Sequence, residues 1–160
     1  STGSFIARLG DVIFNGSDGA NAQAIRSALT GTKTFYKFTI NKDAGDVTVY
    51  DQNILITDNL TIAQGNFNVN GLTATIGGSF DNTGGSFNTS GSYVFTSTSG
   101  SEIIRSNGST FNNVQINGTG TTFTCQDNFA SNANFQLQAG TFNGNGNISM
   151  GLSNYAQMEL

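Results

Sequence analysis

Histidine, proline and tryptophan are absent from the 160 residues, cysteine occurs once, and only 10% of positions are charged. Each gap removes a class of function. Without histidine there is no triad built on an imidazole and no imidazole metal ligand. The single cysteine, Cys125, excludes an internal disulfide framework and a Cys-rich metal site. Its simplest role is that of a small residue facing a core. Six Lys and Arg against ten acids leave no basic stripe to neutralise phosphates, so nucleic acid is not an expected partner. No apolar run reaches the length of a membrane span, and the first ten residues lack the apolar core of a signal peptide. A soluble mature protein or an excised fragment is therefore expected. Disordered chains are poor in aromatics, whereas thirteen Phe and four Tyr are spread through this one, so a packed structure is expected.

Gly, Asn, Ser and Thr supply the bulk, a mixture suited to tight turns and polar strand faces rather than helices. The few charges are uneven. Residues 1–42 hold five cations (Arg8, Arg26, Lys33, Lys37, Lys42) against Asp11 and Asp18, about +3; residues 43–160 hold Arg105 against eight acids, about −7.

Internal similarity is the strongest pattern. Shifted by 75 positions, residues 46–71 lie on residues 121–146 without a gap, and seven of the 26 positions are identical. They include Asn53/Asn128, Gly65/Gly140 and Phe67/Phe142, with apolar matches at Ile54/Phe129, Leu60/Phe135 and Ile62/Leu137. The chain reads as a single domain, 1–160, made of two degenerate repeats of about 1–82 and 83–160.

Within each copy, apolar pulses of two to four residues recur every six to eleven positions, separated by Gly, Asn, Ser or Asp. Alternation inside a pulse, as in Leu60-Thr61-Ile62 or Phe38-Thr39-Ile40, is the period-2 signal of a strand with one buried side. Strands this short are held together when stacked in register along a coil, each bonding to the rungs above and below. The expected fold is all-β: a right-handed parallel β-helix, or β-solenoid, of about 20 residues per coil and roughly eight coils, a rod of about 40 Å. The phrase Gly-x-Phe-x-x-x-Gly, at 65–71, 78–84, 85–91 and 140–146, reads as wall rather than linker. In that reading Phe fills the interior and each Gly takes a turn conformation that a Cβ would forbid. Asn68, Asn70, Asn143 and Asn145 are candidates for stacked amide ladders at the corners. Residues 18–31 have some helical spacing, with Ala22, Ile25, Ala28 and Leu29 on one side; a strand with an insertion is the preferred reading.

The search for chemistry is brief. Asp43, Asp46, Asp51 and Asp58 are the candidate acids for carboxylate-assisted glycoside cleavage, although Asp is common at turns and residues 43–104 offer no Lys or Arg beside them. "GGSFD" (77–81) departs from the calcium-binding Gly-Gly-x-Gly-x-Asp repeat. Threonine pairs such as Thr73/Thr75 and Thr96/Thr98 do not recur at a fixed coil spacing. No catalytic, cofactor-binding or metal-ligating residue is assigned, and no cofactor is expected.

Four elements follow in order along the first half: Phe14-Asn15-Gly16, Gln23-Ala24-Ile25, Thr34-Phe35-Tyr36-Lys37-Phe38-Thr39-Ile40-Asn41, and Leu60-Thr61-Ile62-Ala63-Gln64-Gly65. This series resembles a repeat of very large surface proteins of Bacteroidetes, including gliding-type adhesins exported by the type IX secretion system. The second copy is looser, with Phe95-Thr96-Ser97 and Thr110-Phe111-Asn112-Asn113-Val114. No C-terminal sorting domain of that system is visible after Gly151. The resemblance implies a non-enzymatic, extracellular structural or adhesive module, a stalk or filament of a bacterial cell surface. End-to-end self-association or continuation into a longer chain would cover the open strand edges, and surface polysaccharide is a possible ligand. The alternative is a polysaccharide-binding or polysaccharide-cleaving β-helix.

Overall fold

Alternating residues along a strand point to opposite sides, so a pulse such as Phe38-Thr39-Ile40 can bury its apolar members only against other strands. The computed structural model describes residues 9–16, 22–26 and 31–150. Among them are fourteen strands and no helix, in one sheet whose pairings are all parallel. The strands wind into a β-solenoid with three sides per coil.

Face 1 stacks β1 (Asp11–Gly16), the first half of β4 (Lys37–Val49), the start of β6 (Leu60–Asn68), β8 (Phe80–Asn82), β11 (Gly100–Arg105) and the ends of β12 (Phe111–Cys125) and β13 (Phe129–Asn143). Face 2 stacks β2 (Gln23–Ile25), the second halves of β4 and β6, and β9 (Ser86–Phe87); further along, β14 (Ile148–Met150) pairs with the start of β13. Face 3 stacks β3 (Lys33–Phe35), β5 (Ile54–Ile56), β7 (Thr73–Ile76), β10 (Ser92–Phe95) and the middle parts of β12 and β13. The long strands β4, β6, β12 and β13 run round corners, where their pairing shifts register.

One column on face 3 sets the coil length. Phe35, Ile56, Ile76, Phe95, Ile116 and Leu137 are successive partners, separated by 21, 20, 19, 21 and 21 residues. The period of about 20 is as expected, but the described residues make about six coils rather than eight. Two causes act together: some coils are longer than 20 residues, since Asp11 pairs with Lys37, Gln23 with Val47 and Phe80 with Ile104 at spacings of 26, 24 and 24, and residues 1–8 and 151–160 lie outside the described residues. At about 4.8 Å per rung the stack is about 30 Å long. Of the 18–31 passage, Gln23–Ile25 is a strand paired with β4; residues 18–21 and 27–30 lie outside the described residues.

The interior is filled by side chains along the whole stack. Phe38, Ile40, Leu60, Ile62 and Phe80 on face 1, Val47 and Phe67 on face 2, and Ile54, Ile56, Ile76 and Phe95 on face 3 are all inaccessible to solvent. Volume is traded between rungs: Ala74 lies in register with Ile54 on one side and with the much larger Tyr93 on the other, which keeps the core close-packed. Phe80, Phe87, Tyr93 and Phe111 form a central aromatic cluster with centroid separations of 4.5–5.9 Å, mostly edge-on. That geometry suits the ring quadrupoles.

The Gly-Ser-Phe phrases are wall. Phe80 and Phe87 point inward, but the reason for their glycines differs from expectation. Gly65, Gly71 and Gly140 have positive φ; Gly84 and Gly85 do not, and are required by contact between coils. A Cβ at Gly84 would stand 2.5 Å from the Ala63 carbonyl oxygen, and one at Gly85 would stand 2.5 Å from the Gly65 oxygen and from Ile62 Cγ2.

The asparagines also work differently. Asn68 Oδ1 accepts from the Asn70 amide two residues on, and so serves its own turn rather than a ladder between coils. Stitching between coils falls to Asn53, Asn59 and Asn128, whose Oδ1 atoms accept the backbone N–H of Thr73, Ser79 and Asn147, about one coil later.

Residues matched by the 75-residue shift occupy different faces. Leu60 lies on face 1 and Phe135 on face 3; Phe67 lies on face 2 and Phe142 on face 1; Ile54 lies on face 3 and Phe129 on face 2. The sequence repeat preserves sides, each a strand plus a corner, and rotates them by one face.

Candidate binding surface

The candidate acids do not converge. Asp43 accepts a hydrogen bond from Gln64 Nε2 at 2.8 Å, and Asp46 accepts one from Asn66 Nδ2 at 2.9 Å, both along the face 1 to face 2 corner. Asp51, with φ of 73°, turns the corner into face 3. Asp58 turns the corner out of it and accepts the Tyr36 hydroxyl, a bond that holds the Tyr36 pKa above its ordinary value. Three corners thus share four acids, each explained by its turn or by a neighbouring rung.

The remaining polar groups are used in the same way. Asp127 accepts from the backbone N–H groups of Ser106 and Asn107 and from the Ser106 hydroxyl. Glu102 is held by the hydroxyls of Ser79 at 2.6 Å and Ser97 at 3.1 Å. Arg105 pairs with Asp81 at 2.8 Å in the adjacent rung of face 1. Lys33 donates from Nζ to the carbonyl oxygens of Tyr50, at 2.6 Å, and Gln52; burial lowers its pKa, with Asp51 opposing. Cys125 is buried and its thiol is pushed up to about 12, first by desolvation and then by the charge of Asp127. Such a thiol is inert rather than nucleophilic. Among the described residues no group of His, Cys, Asp and Glu is placed to hold a metal ion, and no helix is long and apolar enough to cross a membrane.

Face 3 is different in chemistry from its neighbours. Its central outward column runs Thr34, Leu55, Thr75, Val94, Gln115 and Gln136, one residue per rung over six rungs. Gln115 Nε2 donates to Gln136 Oε1 at 3.1 Å, a side-chain rung above the backbone rung. Two residues earlier along each strand a second outward column holds Thr73, Ser92, Asn113 and Asn134. No charged side chain stands outward on these strands, and Lys33, the one acidic or basic residue within them, is at the inward position in register with Ile54. Face 1 of the same coils carries Asp11, Lys37, Asp81 and Arg105.

Sequence reading saw only the Thr73/Thr75 pair of this surface. The column is not one residue type recurring every 20 positions but a shared lack of charge, which becomes visible when the register is known.

No family model matches the chain, and no curated protein or solved structure matches it. The solenoid arrangement implied by the resemblance to surface-repeat proteins is present; the assignment to gliding-type adhesins has no matching relative.

Proposed function

We propose that this chain is a non-enzymatic structural and adhesive module: a solenoid rod on the outside of a bacterial cell that holds a lateral surface away from it. In this role it stacks end to end or continues within a longer array. The observation that carries the reading is the use of polar side chains. Asp43, Asp46, Asn53, Asn59, Glu102 and Asp127 each bond to a neighbouring rung, so polar groups reinforce a shaft instead of converging on a reacting bond. An interior filled mainly by Phe, Ile, Leu and Val serves the same end, and the buried polar Asn82 and Ser106 are bonded to each other's coil.

Immunogold labelling of intact producing cells, with negative-stain imaging of the released material, tests this. Label on the cell exterior and rod-shaped particles are expected. Label confined to the cytoplasm, or release of reducing ends when the pure chain is incubated with polysaccharides, would overturn it.

A further inference from the structure

We propose that face 3 is a docking surface for an uncharged, hydroxyl-rich polysaccharide lying extended over several rungs. This rests on the adhesive reading above and names its ligand class. The outward columns form a lattice of about 4.8 Å between rungs and about 6.6 Å between alternate residues of a strand. It is fixed by main-chain pairing on both sides of every internal rung, so it is set before any ligand arrives. Thr and Ser hydroxyls and Gln and Asn amides both donate and accept hydrogen bonds, which matches sugar hydroxyls. Leu55, Val94 and the Tyr36 ring at the rim supply apolar contact for the C–H faces of sugar rings.

Charge and apolar area select among partners. None of the chain's six cations and ten acids stands outward on the described strands of this face, although the corners that bound it hold Asp51 and Asp58. An acidic glycan or a nucleic acid would find cations only at the rim, where Lys33 Nζ is taken up by the Tyr50 and Gln52 carbonyls and Lys37 Nζ lies 5.8 Å from the Tyr36 ring, and none along the central columns. Among the described residues the exposed large apolar side chains Ile13 and Ile148 lie off the face and Leu9 is on none of its strands, so a protein partner would lack the apolar centre that interfaces need. A flat lattice also cannot enclose a small sugar. Affinity must accumulate over several rungs, and long chains bind where monosaccharides do not.

The full chain is tested by affinity electrophoresis in gels containing a soluble neutral mannan or xyloglucan, with alginate as the acidic counterpart and a monosaccharide as competitor. Retardation by a neutral polymer is expected, unchanged from about 0.05 to 0.5 M salt and not reversed by the monosaccharide. Thr75→Glu and Gln115→Glu, in the middle of the face, should each weaken retention by at least about tenfold, because a carboxylate must then be desolvated against hydroxyls. Thr124→Glu, outward on face 1, should bind as the parent does; circular dichroism confirms that all three fold. Retardation by alginate alone, by no polymer, or equal losses in the face 1 and face 3 variants would overturn the proposal. With external labelling of cells, such results reject the ligand and leave the module standing; cytoplasmic labelling rejects the module whatever the gels show.

Discussion

Replacing Phe80 by alanine should be the most damaging single truncation in the core. The side chain is fully buried on face 1 and its ring meets those of Phe87 at 5.0 Å, Phe111 at 5.3 Å, Tyr93 at 5.9 Å and Phe95 at 6.3 Å. Phe→Ala in a core costs about 3–5 kcal/mol, including the cavity left behind. The upper part of that range applies here, because the surrounding rings are held by strands on the other two faces and cannot collapse inward. A solenoid couples each coil only to its neighbours, so loss at the fourth rung also weakens the junction between the coils on either side. Urea unfolding followed by far-ultraviolet circular dichroism reads the effect. With a slope of about 2 kcal/mol per molar, a loss of about 4 kcal/mol lowers the midpoint by about 2 M. Phe142, half-buried in the last described coil with two ring neighbours, should lose about 1–2 kcal/mol on the same change. Should Phe80→Ala fail to fold, Phe80→Leu keeps most of the volume and should still cost about 1 kcal/mol. A Phe80→Ala protein no less stable than Phe142→Ala would refute the view that the central ring cluster couples the coils.

Three further expectations follow from the same contacts. Gly85→Ala should destabilise by about 3 kcal/mol, since its Cβ meets backbone and Ile62 at 2.5 Å, whereas Gly100→Ala, strained by a φ of 84° but with open space, should cost about 1–2 kcal/mol; thermal or urea midpoints decide the order. Asp127→Ala leaves the Ser106 and Asn107 N–H groups without their acceptor and should cost about 1–3 kcal/mol, with hydrogen exchange rising first at that corner. Cys125 should not react with a thiol reagent until the protein is unfolded. Its raised folded pKa means that its contribution is complete below the ordinary value of 9.0 and is lost as pH rises toward about 12. Tyr93, also raised by burial, acts in the same direction, so Cys125→Ala should flatten, not abolish, the alkaline fall in stability.

The parallel stack was legible because period-2 alternation and a regular spacing of turns are both local properties of the chain. Phe38-Thr39-Ile40 declares its buried side without knowledge of its partner. What depends on partners was not legible. The coil count of eight divided the whole chain by 20, whereas the described coils are uneven, 26 residues from Asp11 to Lys37 and 24 from Phe80 to Ile104, and no strand pulse announces the longer ones. Gly84 and Gly85 looked like turn glycines, while their requirement comes from carbonyl oxygens about 20 residues earlier. Asn68 and Asn53 are the same residue type in similar surroundings, yet one bonds within its turn and the other to the next coil. The neutral surface of face 3 is assembled from residues about 20 apart whose identities differ.

That neutrality is carried by the repeat. A shift of about 75 residues moves each side by one face, so the counterpart of Ile54–Ile56 on face 3 is 129–131 on face 2. What occupies face 3 in the sixth rung, 135–137, is the counterpart of 60–62 on face 1. The outward residues follow the same shift: Val94, Gln115 and Gln136 match Ile13, Thr39 and Thr61, an uncharged column of face 1, and Leu55 matches Ala130 on face 2. Thr34, Leu55 and Thr75 from the first copy and Val94, Gln115 and Gln136 from the second therefore stand in one uncharged column. Charge enters the central outward column of face 1 at the next two rungs, as the Asp81–Arg105 pair. Both sides that the repeat delivers to face 3 are uncharged at their outward positions, so duplication alone extends the neutral column over six rungs, and a ligand spanning several of them would use a surface it had not shaped.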